Sequence, residues 1–268
     1  MLASVFQTLK QKNEIDEEFI RHLVLNSYRM YRNKFHDKYG ELVICHDATD
    51  YWRKDIFPQY KANRKKSMEN SDVDWYEVFG KLDKIRNEIK ETFPYKNIRV
   101  DRLEADDVIA TICKKYHEQE KILIVSNDKD FQQLQRYPNI EQYSPIKKEF
   151  IKCEDPEQFL LEHIIKGDYS DGVPNILSDD DCIIDPEKRQ KPCGKKKIAE
   201  IISDIDEWRR SEKWKRNQTI IDFNCLPEEY EYGIIENFNE EPTGKRSMLL
   251  NYFIKNKLKN LMENIGEF

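Results

Sequence analysis

Arg102-Leu103-Glu104-Ala105-Asp106-Asp107 runs directly into an apolar helical face, Val108-Ile-Ala-Thr-Ile-Cys113. Two further acidic stretches follow it, Ser126-Asn127-Asp128-Lys129-Asp130-Phe131 and Gly167-Asp168-Tyr169-Ser170-Asp171. Asp128 and Asp130 come after Ile122-Leu-Ile-Val-Ser126, which reads as a buried parallel strand, so at i, i+2 spacing both leave its C-terminal end on one face. Glu104 and Asp107, at i, i+3, open a helix, where acids are favourable against the dipole. Carboxylates at strand ends and helix starts imply an α/β architecture, with the acids gathered where such sheets collect their ligands.

The three clusters hold seven carboxylates, and convergence would crowd them: each like-charged pair at ~4 Å costs roughly 4 kcal/mol at an effective dielectric of 20. Divalent cations relieve that repulsion. Oxygen donors with no His or Cys among them favour Mg²⁺ or Mn²⁺ over zinc, and two such ions ~4 Å apart suit in-line phosphodiester hydrolysis. The rival reading makes the acids helix caps and solvated turns, and their order along the chain, each at an element boundary, weighs against it.

Outward from these motifs, Phe19 to Tyr39 and Val73 to Phe93 have helical periodicity. Leu42 to Cys45, Ile98 to Val100 and Ile122 to Ser126 read as strands, and Ile140 to Tyr143 with Glu149 to Lys152 as a hairpin. The expected fold is a mainly parallel central sheet with helices on both faces, in residues 1–157. From 158 to 268 strand signals vanish, and a C-terminal helical subdomain is expected. Residues 178 to 192, with Asp179-Asp180-Asp181 and two prolines, read as a loop; a fourth metal cluster is one reading of its acids, and solvated side chains the favoured one.

Charged residues make up 36% of the 268, against roughly 25% in an average soluble protein. No apolar run approaches the ~18 residues of a membrane span, and Met1-Leu-Ala-Ser-Val-Phe-Gln7 lacks the features of a signal peptide. A cytoplasmic protein is expected. The six cysteines form no CxxC pair, and His22, His36, His46, His117 and His163 show no ligand spacing, so each histidine reads as a surface or packing residue. Net charge is −6, yet basic residues are concentrated at Arg53-Lys54 through Lys61, Arg64, Lys65 and Lys66, at Lys188 to Lys197, and at Arg209 to Arg216. Screening over ~8–10 Å makes such local patches decide phosphate affinity. Trp208 and Trp214 read as helix-packing residues rather than stacking platforms for bases.

These motifs, with Trp52-Arg-Lys-Asp-Ile-Phe-Pro-Gln-Tyr-Lys-Ala-Asn-Arg64, Tyr143-Ser-Pro145, Ile221-Asp-Phe223 and the terminal Glu267-Phe268, resemble the flap-endonuclease or structure-specific 5′-nuclease superfamily, in particular its phage ribonuclease H branch. The resemblance covers nearly the whole chain. It implies a nuclease that removes RNA primers and short 5′ flaps from lagging-strand DNA, using two Mg²⁺ ions for which Mn²⁺ substitutes. Asp47, Glu104, Asp106, Asp107, Asp128 and Asp130 would surround the metals, with Asp168 and Asp171 completing the second position and Asp130 among the catalytic groups. Lys61 and Arg64 would contact the scissile phosphate at the base of a helical arch spanning about 51–76. Arg53, Lys54, Lys65 and Lys66 would add to the nucleic-acid surface. Gly172 and Gly194, with Lys195, Lys196 and Lys197, would mark the two ends of a helix-hairpin-helix-type element, split here by residues 177 to 192. Expected partners are RNA/DNA hybrids and branched DNA with a 5′ end, and a phage single-stranded-DNA-binding protein; the chain would act as a monomer in the host cytoplasm.

The family's first strand, ending in a metal-binding aspartate, has no counterpart before Met1-Leu-Ala-Ser-Val-Phe6, and Asp16 and Glu17 do not replace it. Met1 is therefore expected to be an internal methionine of a protein that starts upstream. A rival follows from that gap: a chain that binds branched DNA without turnover. A third reading, a PIN-like ribonuclease on single-stranded RNA, is opposed by the Trp52 to Arg64 motif.

Overall fold

The computed structural model describes residues 16–69 and 73–268, with the side chains at 65–67 and 69 excepted. The expectations for the N-terminal start and for part of the arch fall outside them. In chain order the elements are α1 (Glu17–Tyr39), β1 (Val43–Cys45), α2 (Arg53–Ile56), α3 (Ala62–Glu69), α4 (Trp75–Thr92), β2 (Lys96–Ile98), α5 (Ala105–Tyr116), β3 (Ile122–Val125), β4 (Ile140–Ser144), β5 (Glu149–Ile151), α6 (Pro156–Lys166), α7 (Lys195–Ser203), α8 (Ile205–Trp208), α9 (Glu212–Ile221), α10 (Glu228–Asn239), α11 (Leu249–Lys255) and α12 (Lys259–Met262), joined in places by 3₁₀ turns.

The chain forms two compact units, each assembled from distant segments. The first comprises the described residues of Met1–His46, Asp72–Ile98 and Glu236–Phe268. Asp16 caps α1 by accepting from the Glu18 N–H (2.9 Å), and Gly40, at φ +78°, ends it with its N–H on the His36 carbonyl (2.8 Å). The apolar stripe Ile20, Val24 and Leu25 packs with Val78, Ile85 and Ile89 of α4, beside the parallel pair β1–β2. Phe268 is fully buried between Phe93 (ring centroids 5.7 Å) and Phe253 (5.2 Å). The C-terminal 33 residues therefore pack into the core of the N-terminal helices, and residues 158–235 belong to the second unit.

The second unit, Asp47–Ser71 with Arg99–Ile235, carries all three acidic clusters. Its sheet has order β3-β4-β5, with β3–β4 parallel (Ile122↔Ile140) and β4–β5 antiparallel as the expected hairpin (Tyr143↔Phe150). Two apolar clusters hold it together: Ile124, Phe131, Leu134 and Phe223 beside α5, and Phe57, Tyr60, Leu160, Ile164, Val173, Trp214 and Ile220 around α6 and α9. The α/β class with parallel pairing and a helical C-terminal region is present, with the described strands in two small sheets rather than one. Trp214 is core, its Nε1 donating to Gln218 Oε1 (3.1 Å).

Residues 178 to 192 are a closed loop. Asn175 N–H donates to Gln190 Oε1 (2.9 Å), its Nδ2 to the Lys191 carbonyl (2.9 Å), and Lys191 N–H to Ser178 Oγ (2.8 Å), which pins the two ends together. The acids expected to be solvated are ion-paired, Asp179 with Lys213, Asp180 with Arg216 and Asp181 with Lys188.

Candidate metal centre

β3 ends at Val125, and Asp128 caps the 3₁₀ segment Lys129–Arg136 by accepting from the Asp130 N–H (3.0 Å). The two acids thus leave the strand through a turn rather than along one strand face: Asp128 is exposed, and Asp130 lies in a pocket with Glu104, Asp106, Asp168 and Asp171. Asp47 stands just past β1 and accepts from the Ala105 N–H (2.8 Å) at the start of α5, the helix that carries Asp106. Asp168 is anchored on all sides: Oδ1 accepts from Ser170 N–H (2.8 Å), Ser170 Oγ (2.5 Å) and Asp171 N–H (3.3 Å), and Lys129 Nζ lies 2.9 Å from Oδ2. Asp171 accepts from the Tyr60 hydroxyl (3.0 Å) and pairs with Arg64 and Lys61.

The electrostatics are those of a crowded cation site. Burial, then the charges of Asp128 and Glu104, push Asp106 well above the carboxylate range. Burial, then Asp128 and Asp168, do the same to Asp130. Glu104 is buried as well, but Lys61 and Arg53 outweigh that and hold it below its ordinary value. Asp130 Oδ1 is fully buried with no hydrogen-bond partner. An orphaned carboxylate oxygen inside a ring of acids fits a hard divalent cation.

An acid whose pKa is raised on folding stabilises the fold below its unfolded value, and that contribution is lost as pH rises through the raised value. For Asp106 and Asp130 the loss begins above about pH 4. Asp168, held low by its His163, Ser170 and Lys129 partners against its burial, acts in the opposite direction and only as pH falls below that range. With a chelator present, the melting temperature is therefore expected to suffer from these two acids as pH rises above about 4. Mg²⁺ or Mn²⁺ should raise it by an increment that grows over the same interval. Scanning fluorimetry at matched pH reads this, and an increment independent of pH would contradict the placement of these acids.

Several expected contacts are arranged differently. Asp107, expected beside the metals, is 1% exposed and its oxygens accept from Arg53 Nη1 (2.8 Å), Arg53 Nη2 (2.7 Å) and the Glu104 N–H (3.1 Å), so it anchors Arg53 and opens α5. Arg53, expected on the nucleic-acid surface, is 2% exposed with its donors turned inward. Gly172, expected to aim its N–H at phosphate, donates it to the Tyr169 carbonyl (3.2 Å) in a left-handed turn. Lys54 lies on the surface beside Asp50 (3.0 Å). Gly194 with Lys195, Lys196 and Lys197 forms the exposed N-terminus of α7. Lys65 and Lys66 fall on α3 with side chains outside the described residues.

His163 is the residue the sequence reading passed over. It sits on the buried stripe of α6 with Leu160 and Ile164, and lies within reach of both Asp130 and Asp168. A polar side chain at i+3 in an apolar stripe, five residues before Asp168, was the available signal.

Gly167 supplies the turn into Asp168. Its φ is +67°, and a Cβ there would lie 2.4 Å from the Val173 carbonyl oxygen. Gly167→Ala is expected to destabilise the chain by at least about 2 kcal/mol, since strain and backbone overlap add. Urea unfolding measures it, and a change below about 0.5 kcal/mol would refute the close approach.

Residues 5–162 match the family described as 5′-3′ exonuclease, N-terminal resolvase-like domain. Residues 155–268 match the one described as T4 RNase H, C terminal. The chain is 34% identical to ribonuclease H of Enterobacteria phage T4 over 281 residues, covering 100% of this chain and 92% of that protein. It is 31% identical over 134 residues to a flap endonuclease of Shewanella sp. (strain MR-4), covering 47% of this chain and 48% of that one. Among solved structures, a bacteriophage T5 protein co-crystallised with metal ions shares the fold at a TM-score of 0.59 and 19% identity, over 79% of this chain and 92% of that one. A T5 flap endonuclease in complex with DNA and metal ions superposes at a TM-score of 0.56, over 80% and 91%. With a pocket of carboxylates built at strand ends and helix starts, and with both family regions matched along its length, the chain belongs to the 5′-3′ exonuclease family, its resolvase-like N-terminal part continuing into a C-terminal part of the phage ribonuclease H type.

Proposed function

We propose that this chain is a divalent-metal-dependent, structure-specific 5′-nuclease that removes RNA primers and short 5′ flaps from lagging-strand DNA in phage replication. The observation that carries the reading is the pocket in which Glu104, Asp106, Asp130, Asp168 and Asp171 converge while Lys61 and Arg64 reach its acids from the adjoining segment. Glu104, Asp106, Asp128 and Asp130, with Asp47 at the start of α5, would hold one cation, and Asp168 and Asp171 would complete a second position. Bound Mg²⁺, or Mn²⁺ in its place, supplies activation of a water and charge stabilisation on the leaving oxygen.

The chain's own cations do the rest. Lys61 takes a left-handed backbone (φ +59°), a conformation costly for lysine, and its N–H donates to the Asp171 carbonyl (2.8 Å). Its ammonium pairs with Glu104 and Asp171 at the pocket. Lys61 and Arg64 are thus placed to offset charge developing on a scissile phosphate. Lys54 and the α7 N-terminus with Lys195, Lys196 and Lys197 offer phosphate contacts along the flanking duplex, with the helix N–H groups adding to the charge. RNA/DNA hybrids and branched DNA with a 5′ end are the proposed substrates, a phage single-stranded-DNA-binding protein the proposed partner, and a monomer in the host cytoplasm the proposed working state. No helix among the described residues is long and apolar enough to cross a membrane. Membership of a family of nucleases along the whole chain favours turnover over DNA binding alone.

The test is release of product from a 5′-labelled RNA primer or DNA flap annealed to a template, against the same strand alone, with Mg²⁺ and with chelator. Metal-dependent release that needs the adjacent duplex is expected. Equal cleavage of the free strand would overturn structure specificity, and tight, salt-dependent binding without release would restore the binding-only reading.

A further inference from the structure

His163 is 6% exposed and wedged between two acids of the pocket. Its Nε2 lies 3.2 Å from Asp168 Oδ2, and its Nδ1 lies 3.4 Å from Asp130 Oδ1. Phe159 packs edge-on against the ring (centroids 5.8 Å), and the His163 carbonyl accepts the Gly167 N–H (2.8 Å) that closes α6 just before Asp168. The two carboxylates come from different elements, Asp130 from the turn after β3 and Asp168 from the turn after α6. They differ in how they are held. Asp168 is fixed by Ser170, Asp171 and Lys129, whereas Asp130 Oδ1 has no hydrogen-bond partner and faces the ring nitrogen. His163 Nδ1 is likewise buried without a hydrogen-bond partner, so the ring is bonded to the anchored carboxylate and abuts the loosely held one.

We propose that His163 is a positioning residue that holds the Asp130 and Asp168 carboxylates at a fixed separation, and so sets the divalent-cation affinity of this side of the pocket without itself binding the cation. The ring is buried, and its nitrogens lie 3.2 and 3.4 Å from carboxylate oxygens, the setting of an outer partner that orients ligands. The inference rests on the metal-dependent reading above.

The experiment is calorimetric titration of Mn²⁺ into the full chain without nucleic acid, for the natural sequence, His163→Phe and His163→Gln, with cooperative thermal unfolding as the check on folding. Loss of an outer partner of a metal ligand costs about 10–100-fold in affinity, and His163→Phe is expected to lose that much. His163→Gln, whose amide spans one carboxylate rather than both, is expected to weaken binding as well, and it carries the comparison if the phenylalanine variant does not fold. Wild-type affinity in a folded variant would overturn the role of His163 alone. Absence of Mn²⁺ binding by the natural sequence would overturn the metal reading beneath it. Spin-echo spectra of the bound Mn²⁺ supply a second readout: no imidazole ¹⁴N coupling is expected, and its presence would make His163 a ligand and refute the proposal.

Discussion

Arg53→Leu is expected to destabilise the fold by about 3–5 kcal/mol, because it removes one side of a buried ion network and leaves the other side uncompensated. Arg53 Nε donates to the Ile220 carbonyl (2.8 Å), Nη1 to Glu104 Oε2 (2.9 Å) and Asp107 Oδ2 (2.8 Å), and Nη2 to Asp107 Oδ1 (2.7 Å). The guanidinium thereby ties α2 to α5 and α9, and Asp107 and Glu104 are as buried as it is. Arg53→Lys should recover little, since an ammonium does not reproduce the planar fork that meets Asp107 with two donors. The double variant Arg53→Leu with Asp107→Leu should recover much of the loss, which separates an orphaned charge from lost packing. Urea unfolding of the three variants gives the magnitudes. Substrate binding under folded conditions gives the second half of the test: a residue on phosphate changes the slope of log affinity against log salt by about one, and no such change is expected here. A loss of stability under about 1 kcal/mol with a reduced salt slope would return Arg53 to the nucleic-acid surface.

That exchange of roles shows where the sequence was legible and where it was not. Local signals located the elements: the periodicity of Ile20, Val24 and Leu25 and the stop at Gly40 define α1, and the apolar run at 122–125 defines β3. The acidic motifs located the pocket, because acids at a helix start and after a strand are local features that topology brings together. The use of each side chain depended on partners far away in sequence. Arg53 meets Asp107 and Ile220, at separations of 54 and 167 residues, and no spacing rule distinguishes an arginine aimed inward from one aimed at phosphate. His163 stands in no HxxxH or triad pattern along the chain, while in space it lies beside Asp130, 33 residues away, as well as Asp168. Helical periodicity does not say which core a stripe enters, and Phe253 and Phe268 enter that of α1 and α4.

Asp106→Asn is expected to lower metal-dependent cleavage by at least about a thousandfold, at or beyond the scale of removing one preorganised charged contact to a phosphoryl or acyl transition state, while making the chain more stable in the presence of a chelator. The two effects share one cause. Burial and the charges of Asp128 and Glu104 make the ionised form of Asp106 unfavourable in the folded chain, so an amide of nearly the same shape relieves repulsion that the carboxylate endures. The same substitution removes an oxygen donor from the pocket and weakens the electrostatic demand for a cation. Function and stability would then be opposed at this residue, as at sites where acids are assembled for a ligand rather than for the fold. Cleavage assays in Mg²⁺ and in Mn²⁺, with unfolding measured in chelator, read both effects. The gain should disappear below about pH 4, where the carboxylate is protonated in folded and unfolded chains alike and the amide has nothing to relieve. Lost activity with lost stability would make Asp106 a structural acid like Asp107; retained activity would move the metal centre to Asp130, Asp168 and Asp171 alone.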